Sequence, residues 1–106
     1  MRNRTITLCL LGAVALGWAG VGWAVDLRTT KQLAEQGYAK AQFNLGLIYD
    51  IGKGIPQDHK AAVKWFRLAA EQGNARAQHN LGVACNIGKG VPQDYKAAVK
   101  WFRLAA

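Results

Sequence analysis

The sequence predicts an all-α fold, an α/α superhelix (solenoid) of two helix-hairpin repeats with an N-terminal half-repeat helix, and three observations carry this expectation. First, residues 35–70 read EQGYAKAQFNLGLIYDIGKGIPQDHKAAVKWFRLAA and residues 71–106 read EQGNARAQHNLGVACNIGKGVPQDYKAAVKWFRLAA, and the copies differ at nine of 36 positions. Self-similarity with a period of about 20 to 50 residues is the signature of stacked repeats. Second, the apolar residues inside each copy recur at spacings of three and four, as one side of a helix requires. Third, Gly, Pro and Asp fall between the periodic runs, where a helical hairpin must turn. The 106 residues leave room for one small domain, and 51% of them are hydrophobic, which suits a folded chain.

The N-terminal stretch differs in kind. Met1-Arg2-Asn3-Arg4 is basic, an uncharged apolar run follows over residues 6–16, and Gly17, Ala19, Gly20, Gly22 and Ala24 are small. This is the pattern of a secretory signal peptide. Cleavage after Ala24 leaves a mature chain starting at Val25, with a cut after Ala19 as the second choice. The rival reading is an uncleaved anchor, because residues 6–25 carry no charge and about 20 apolar residues can span a bilayer; the Gly and Trp late in the run favour cleavage. The expected compartment is therefore periplasmic or secreted.

Loss of the leader removes Cys9, so Cys85 has no internal disulfide partner, and its place on the inward side of an apolar helix predicts a buried, inert thiol. The formal charge of +8 falls to +6 as Arg2 and Arg4 leave. A basic balance alone speaks of solubility and nonspecific association. In an exported protein it points to anionic envelope surfaces or acidic proteins and not to nucleic acid; membrane contact is expected only through the leader, if it is uncleaved.

Within the first copy, Ala41, Leu45 and Ile48 form one stripe, with Gln42, Gly46 and Tyr49 beside it, and this is helix A. Gly52 accepts the left-handed turn that closes a helix. Gly52-Lys53-Gly54-Ile55-Pro56-Gln57 is a turn-rich loop, and Asp58 is an N-cap, worth about 1 kcal/mol. Helix B runs from there to Gln72 and Gly73 stops it. Its stripes Ala61, Trp65, Leu68 and Ala62, Phe66, Ala69 make a broad apolar arc, as contact with its own partner and with the next repeat requires. Gly46 and Gly82 lie inside helices, where glycine costs about 1 kcal/mol relative to alanine. They predict a close helix approach, with Trp65 or Tyr49 as the bulky neighbour. Lys60, Lys64, Arg67 and Glu71, with Lys96, Lys100 and Arg103 in the second copy, make a basic ladder on the wet face. It reads either as a solvated surface with an Arg67 to Glu71 pair worth roughly 0.2–0.5 kcal/mol, or as a phosphate-binding strip.

The pattern Leu45-Gly46-x-x-Tyr49, a Gly-rich turn with Pro56 and Asp58, then Lys60-Ala61, Trp65-Phe66 and Ala69-Ala70, resembles the Sel-one-like repeat (SLR) family, relatives of the tetratricopeptide repeat. The resemblance covers the chain from Glu35 onward, twice in the same order. It implies A helices lining a concave surface, B helices outside, and use as a scaffold or adaptor for other proteins. Cys85 departs from it, standing where the pattern has Tyr49. Residues 1–24 are then the signal peptide, 25–36 a capping helix, 37–72 the first repeat and 73–106 the second, without a C-terminal cap.

The copies differ in helix A at Lys40/Arg76, Phe43/His79, Leu47/Val83 and Asp50/Asn86, in steps of three, four and three along one face. In the family resembled, this face turns into the concave groove, with Tyr38/Asn74 at its mouth. Two readings stand: these ten residues contact a protein or peptide, with Phe43 as apolar anchor and Lys40 and Arg76 favouring acidic character, or the differences are drift, since Ile48/Ala84 and Tyr49/Cys85 differ off this face.

Catalytic constellations are not found. The chain has no serine, and Cys85 and His79, six residues apart, fall on different sides of one helix, whereas nucleophile and base must meet. His59 and His79 lack the clustered ligands of a zinc site, and Gly52-Lys53-Gly54 has neither the spacing nor the Ser/Thr of a phosphate loop. No cofactor and no metal are expected. Family resemblance also implies an alternative, an envelope hydrolase of the β-lactamase-like repeat type, but that activity goes with paired cysteines in every repeat, and these are missing here. Because the sequence stops inside the second helix B, the side bearing Trp101, Phe102 and Leu104 is expected to self-associate, to dock a partner, or to continue in a longer protein. The reading from sequence is an exported, non-enzymatic scaffold for protein–protein interaction in envelope function or host interaction, with binding of anionic envelope surfaces as a further alternative.

Overall fold

The residues between the apolar runs set where each helix begins and ends. The computed structural model describes residues 26–106, and the expected leader lies outside them. The described residues form five helices, α1 Leu27–Glu35, α2 Ala39–Ile51, α3 His59–Glu71, α4 Ala75–Ile87 and α5 Tyr95–Ala105, and no strand. Asp58 accepts from the Ala61 amide at 3.0 Å and Asp94 from the Ala97 amide at 3.1 Å, so α3 and α5 carry the same cap. Gly52 and Gly88 take left-handed φ values of 83° and 72° and close α2 and α4. α3 ends at Glu71, one residue earlier than expected, because the Gln72 amide turns back to the Ala69 carbonyl. Both loops are tied down identically: the Asp58 amide donates to the Tyr49 carbonyl at 2.9 Å and the Asp94 amide to the Cys85 carbonyl at 2.8 Å.

Consecutive helices pack in chain order, which makes α2–α3 and α4–α5 two stacked hairpins with α1 laid against α2. Ala34, Ala41 and Leu45 form a small cluster covered by Leu27, Tyr49 and Trp65. The larger cluster spans both hairpins and holds Phe43, Val63, Phe66, Leu81, Cys85 and Trp101. Gln42 and Gln78 are buried at the seams, where their side-chain amides each donate at 3.1 Å, to the Ala34 and Ala70 carbonyls respectively. A buried amide without a partner costs about 1–3 kcal/mol; here the groups instead clasp the end of the preceding helix. Gln72 extends the first clasp by donating to both Gln42 Oε1 and the Gly37 carbonyl at 2.8 Å.

Three expectations are corrected by the packing. The bulky neighbour of Gly46 is Phe66, not Trp65 or Tyr49: a Cβ on Gly46 would lie 2.6 Å from Phe66 Cδ1 and Cε1. One residue along a helix is a rotation of about 100°, so Trp65 covers the Ala34, Ala41 and Leu45 cluster while Phe66 faces the glycine. Phe102 repeats this against Gly82 at 2.7 Å. Trp101 is also not on an uncovered side; it is 9% exposed and belongs to the cluster that spans both hairpins, and Phe102 is half-buried while Leu104 is exposed. Finally, the ion pairs among the described residues converge on Asp50, with His59 Nδ1 at 2.9 Å and Lys89 Nζ at 3.4 Å, and none joins Arg67 to Glu71.

Candidate interaction surface on the first helix of each repeat

With Ala41, Gln42 and Leu45 buried on one side of α2, the helical period leaves Lys40, Asn44, Leu47 and Ile51 on the other. α4 repeats the arrangement with Arg76, Asn80, Val83 and Ile87. Ile51 is 66% and Ile87 56% exposed, at the same position of neighbouring repeats. A single exposed isoleucine is ordinary; the pair, with Val83 and Leu47 beside it, makes an apolar strip headed by a cation and a row of amides. Asn44 and Asn80 can each donate and accept, as a peptide backbone requires of its partner.

Of the ten residues singled out by comparing the copies, Lys40, Arg76 and Val83 are exposed on this face, Leu47 is half-buried at its edge against the larger cluster, and His79 borders it with its ring 5.5 Å from that of Phe102. Phe43 is not a free anchor. It is 8% exposed, with its ring 5.9 Å from that of Phe66, because this edge of α2 is the seam on which the second repeat packs. Asp50 turns toward the loops and its ion pairs. Asn86 is exposed, and its carbonyl accepts from the Gln93 side chain at 2.9 Å. Asn74 caps α4 by accepting from the Ala77 amide at 2.9 Å, whereas Tyr38, at the same place before α2, makes no such bond and is 58% exposed.

Clefts border both cation and amide pairs. One of about 520 Å³ is lined by Phe43, Arg76, His79, Asn80 and Phe102, and another of about 460 Å³ by Leu33, Tyr38, Lys40 and Asn44. A smaller one of about 130 Å³ joins Asp50, Asn80 and Lys89. Sequence comparison missed Asn44, Asn80, Ile51 and Ile87 because they are identical in both copies. The signal that finds them is the i, i+4, i+7, i+11 stripe opposite the buried one.

Cys85 is buried as expected, at 3% exposure. Burial pushes its thiol up from the ordinary value, against a lowering by the Arg67 guanidinium and with a further rise from Asp94. Among the described residues no three His, Cys, Asp or Glu side chains gather as a metal site would need, and no helix is long and apolar enough to cross a membrane.

The family model of the Sel1 repeat matches residues 39–74 and 75–106. The chain belongs to the Sel1 repeat family. Its two Sel1 units each begin at the first residue of helix α2 or α4. A Sel1 repeat protein of Oxalobacter formigenes is 48% identical, with a TM-score of 0.74 over 76% of this chain and 33% of its own. A protective antigen of uropathogenic Escherichia coli strains with an SLR fold is 37% identical, with a TM-score of 0.56 over 76% of this chain and 25% of its own. Cysteine-rich protein B of Helicobacter pylori is 26% identical, with a TM-score of 0.72 over 74% of this chain and 59% of its own. The present chain thus spans a quarter to three-fifths of these relatives. No match was found among curated proteins. Sel1 repeat proteins are generally scaffolds for protein–protein interaction.

Proposed function

We propose that this Sel1 repeat protein is an exported adaptor that holds a partner protein along the open face of α2 and α4. The observation that carries the reading is the matched stripe Lys40, Asn44, Leu47, Ile51 and Arg76, Asn80, Val83, Ile87, which leaves two isoleucines more than half exposed at equivalent positions. Lys40 to Ile51 spans about 16 Å at the helical rise, enough for a short segment laid along the strip. The amides suit its backbone, the isoleucines its apolar side chains, and Lys40 and Arg76 an acidic residue at one end. Export rests on the basic start, apolar run and small residues of positions 1–24.

Affinity capture from envelope extract tests the adaptor role. The double variant Ile51→Gln, Ile87→Gln, with Asn44→Ala and Asn80→Ala as a second pair, should lose the captured protein while helical circular dichroism stays unchanged. Capture of the same protein by both variants refutes the face assignment. Export is read separately, by the intact mass of the protein from a periplasmic fraction. Recovery only in the cytoplasm with Met1 retained refutes it.

A further inference from the structure

Lys60, Lys64 and Arg67 stand on α3 at i, i+4 and i+7, and Lys96, Lys100 and Arg103 repeat them on α5; five of the six are exposed, while Arg67 is half-buried toward Cys85. Each row is about 10 Å long at the helical rise. None of the six takes part in the ion pairs formed among the described residues, both of which go to Asp50. Glu71 continues the α3 row at its C-terminal end without pairing to Arg67. The described clefts on the α2–α4 side are lined by none of the six. Two parallel rows of cations match an extended anionic surface.

Two further features select the kind of surface. Leu68 and Leu104 lie one turn after Lys64 and Lys100 on the same side of their helices, 37% and 54% exposed, beside the cations. Trp65 and Trp101 lie beneath the lysines, with Lys64 Nζ 5.5 Å and Lys100 Nζ 5.6 Å from the ring centres, and pack into the core, where they cannot stack on bases. Cations flanked by leucines fit a lipid headgroup layer, where charge meets phosphate and the apolar side chain reaches the acyl boundary. We infer that the outer face of α3 and α5 docks on an anionic phospholipid bilayer. The face is separate from the α2–α4 strip, so either assignment can fail alone.

Each lysine or arginine close to an anionic membrane contributes about fivefold in binding. The test is partitioning of the full chain onto vesicles of phosphatidylcholine with and without phosphatidylglycerol, the neutral vesicles supplying the baseline for residues 1–25. The triple variant Lys60→Gln, Lys64→Gln, Lys100→Gln should lower the gain due to phosphatidylglycerol by about 100-fold. The variant Arg28→Gln, Lys31→Gln, Lys53→Gln removes the same charge from exposed positions off the ladder and should lower it by less than about tenfold. Equal losses in the two variants, or no dependence on phosphatidylglycerol, overturn the inference. So does displacement from the vesicles by an equal phosphate concentration of single-stranded DNA, which would make the ladder a nucleic-acid surface.

Discussion

The twin glycines offer one substitution in two nearly identical sites, with different outcomes set by the neighbour. In Gly46→Ala the new Cβ meets Phe66 Cδ1 and Cε1 at 2.6 Å and the Ala62 carbonyl oxygen at 3.2 Å. Carbon contacts are comfortable at about 3.5–4.0 Å, so the ring must retreat by roughly 1 Å. Phe66 is 3% exposed and backed by Phe43, which leaves it nowhere to go. Overpacking of this kind costs about 1–3 kcal/mol, against about 1 kcal/mol regained in helix propensity. The expected net loss is about 0–2 kcal/mol, or up to roughly 15 °C in Tm for a domain of this size. In Gly82→Ala the Cβ meets Phe102 at 2.7 Å, but this ring is half-buried and borders the open cleft beside His79. It can swing out, and the propensity gain then offsets the cost to within about 0.5 kcal/mol. Thermal unfolding followed by circular dichroism measures both. Gly46→Ala combined with Phe66→Leu should recover part of the loss, a coupling that a double-mutant cycle isolates. A Gly82→Ala protein less stable than Gly46→Ala, or a Gly46→Ala protein more stable than the parent, refutes the reasoning.

Gly54 and Gly90 hold the same place in the two loops, with φ of 81° and 78°, yet a Cβ on Gly54 meets nothing whereas one on Gly90 runs into the His59 carbonyl. Gly54→Ala should cost about 1–2 kcal/mol, the left-handed penalty alone, and Gly90→Ala at least about 1 kcal/mol more; equal urea midpoints for the two would show that the second loop does not ride on α3. Cys85 should react with a thiol reagent only as fast as the chain opens, and far faster once denatured. Its raised thiol value also sets a pH trend. The unfolded chain gives up the proton first, so this contribution to stability is complete below the ordinary value of 9.0 and declines as pH climbs from there to the folded value. Cys85→Ala should flatten the alkaline limb of the stability curve, and an unchanged limb refutes the assignment.

The helices, caps and loop closures were legible in the chain because they are local. Asp58 reaches an amide three residues away, and Gly52 ends α2 through its own backbone. Burial of Cys85 was legible for the same reason, as a position on an apolar stripe. The identity of Gly46's neighbour was not. Trp65 and Phe66 are adjacent, and which of them faces Gly46 depends on how α3 is rotated in its seat. Phe43 shows the same limit at the interaction surface: it occupies a position that differs between the copies, but the second repeat packs over it and leaves its counterpart His79 exposed.

By itself the sequence determined that this protein is a tandem of helical hairpins, because periodicity, capping and turn residues act within a few positions of one another and the duplication states them twice. Only the tertiary structure decided which side of each helix remains free. Phe43 and Trp101 are covered by packing between helices, while Ile51 and Ile87 are left bare. Exposure depends on long-range packing, and two residues with the same local pattern part company when one of them has another hairpin laid against it.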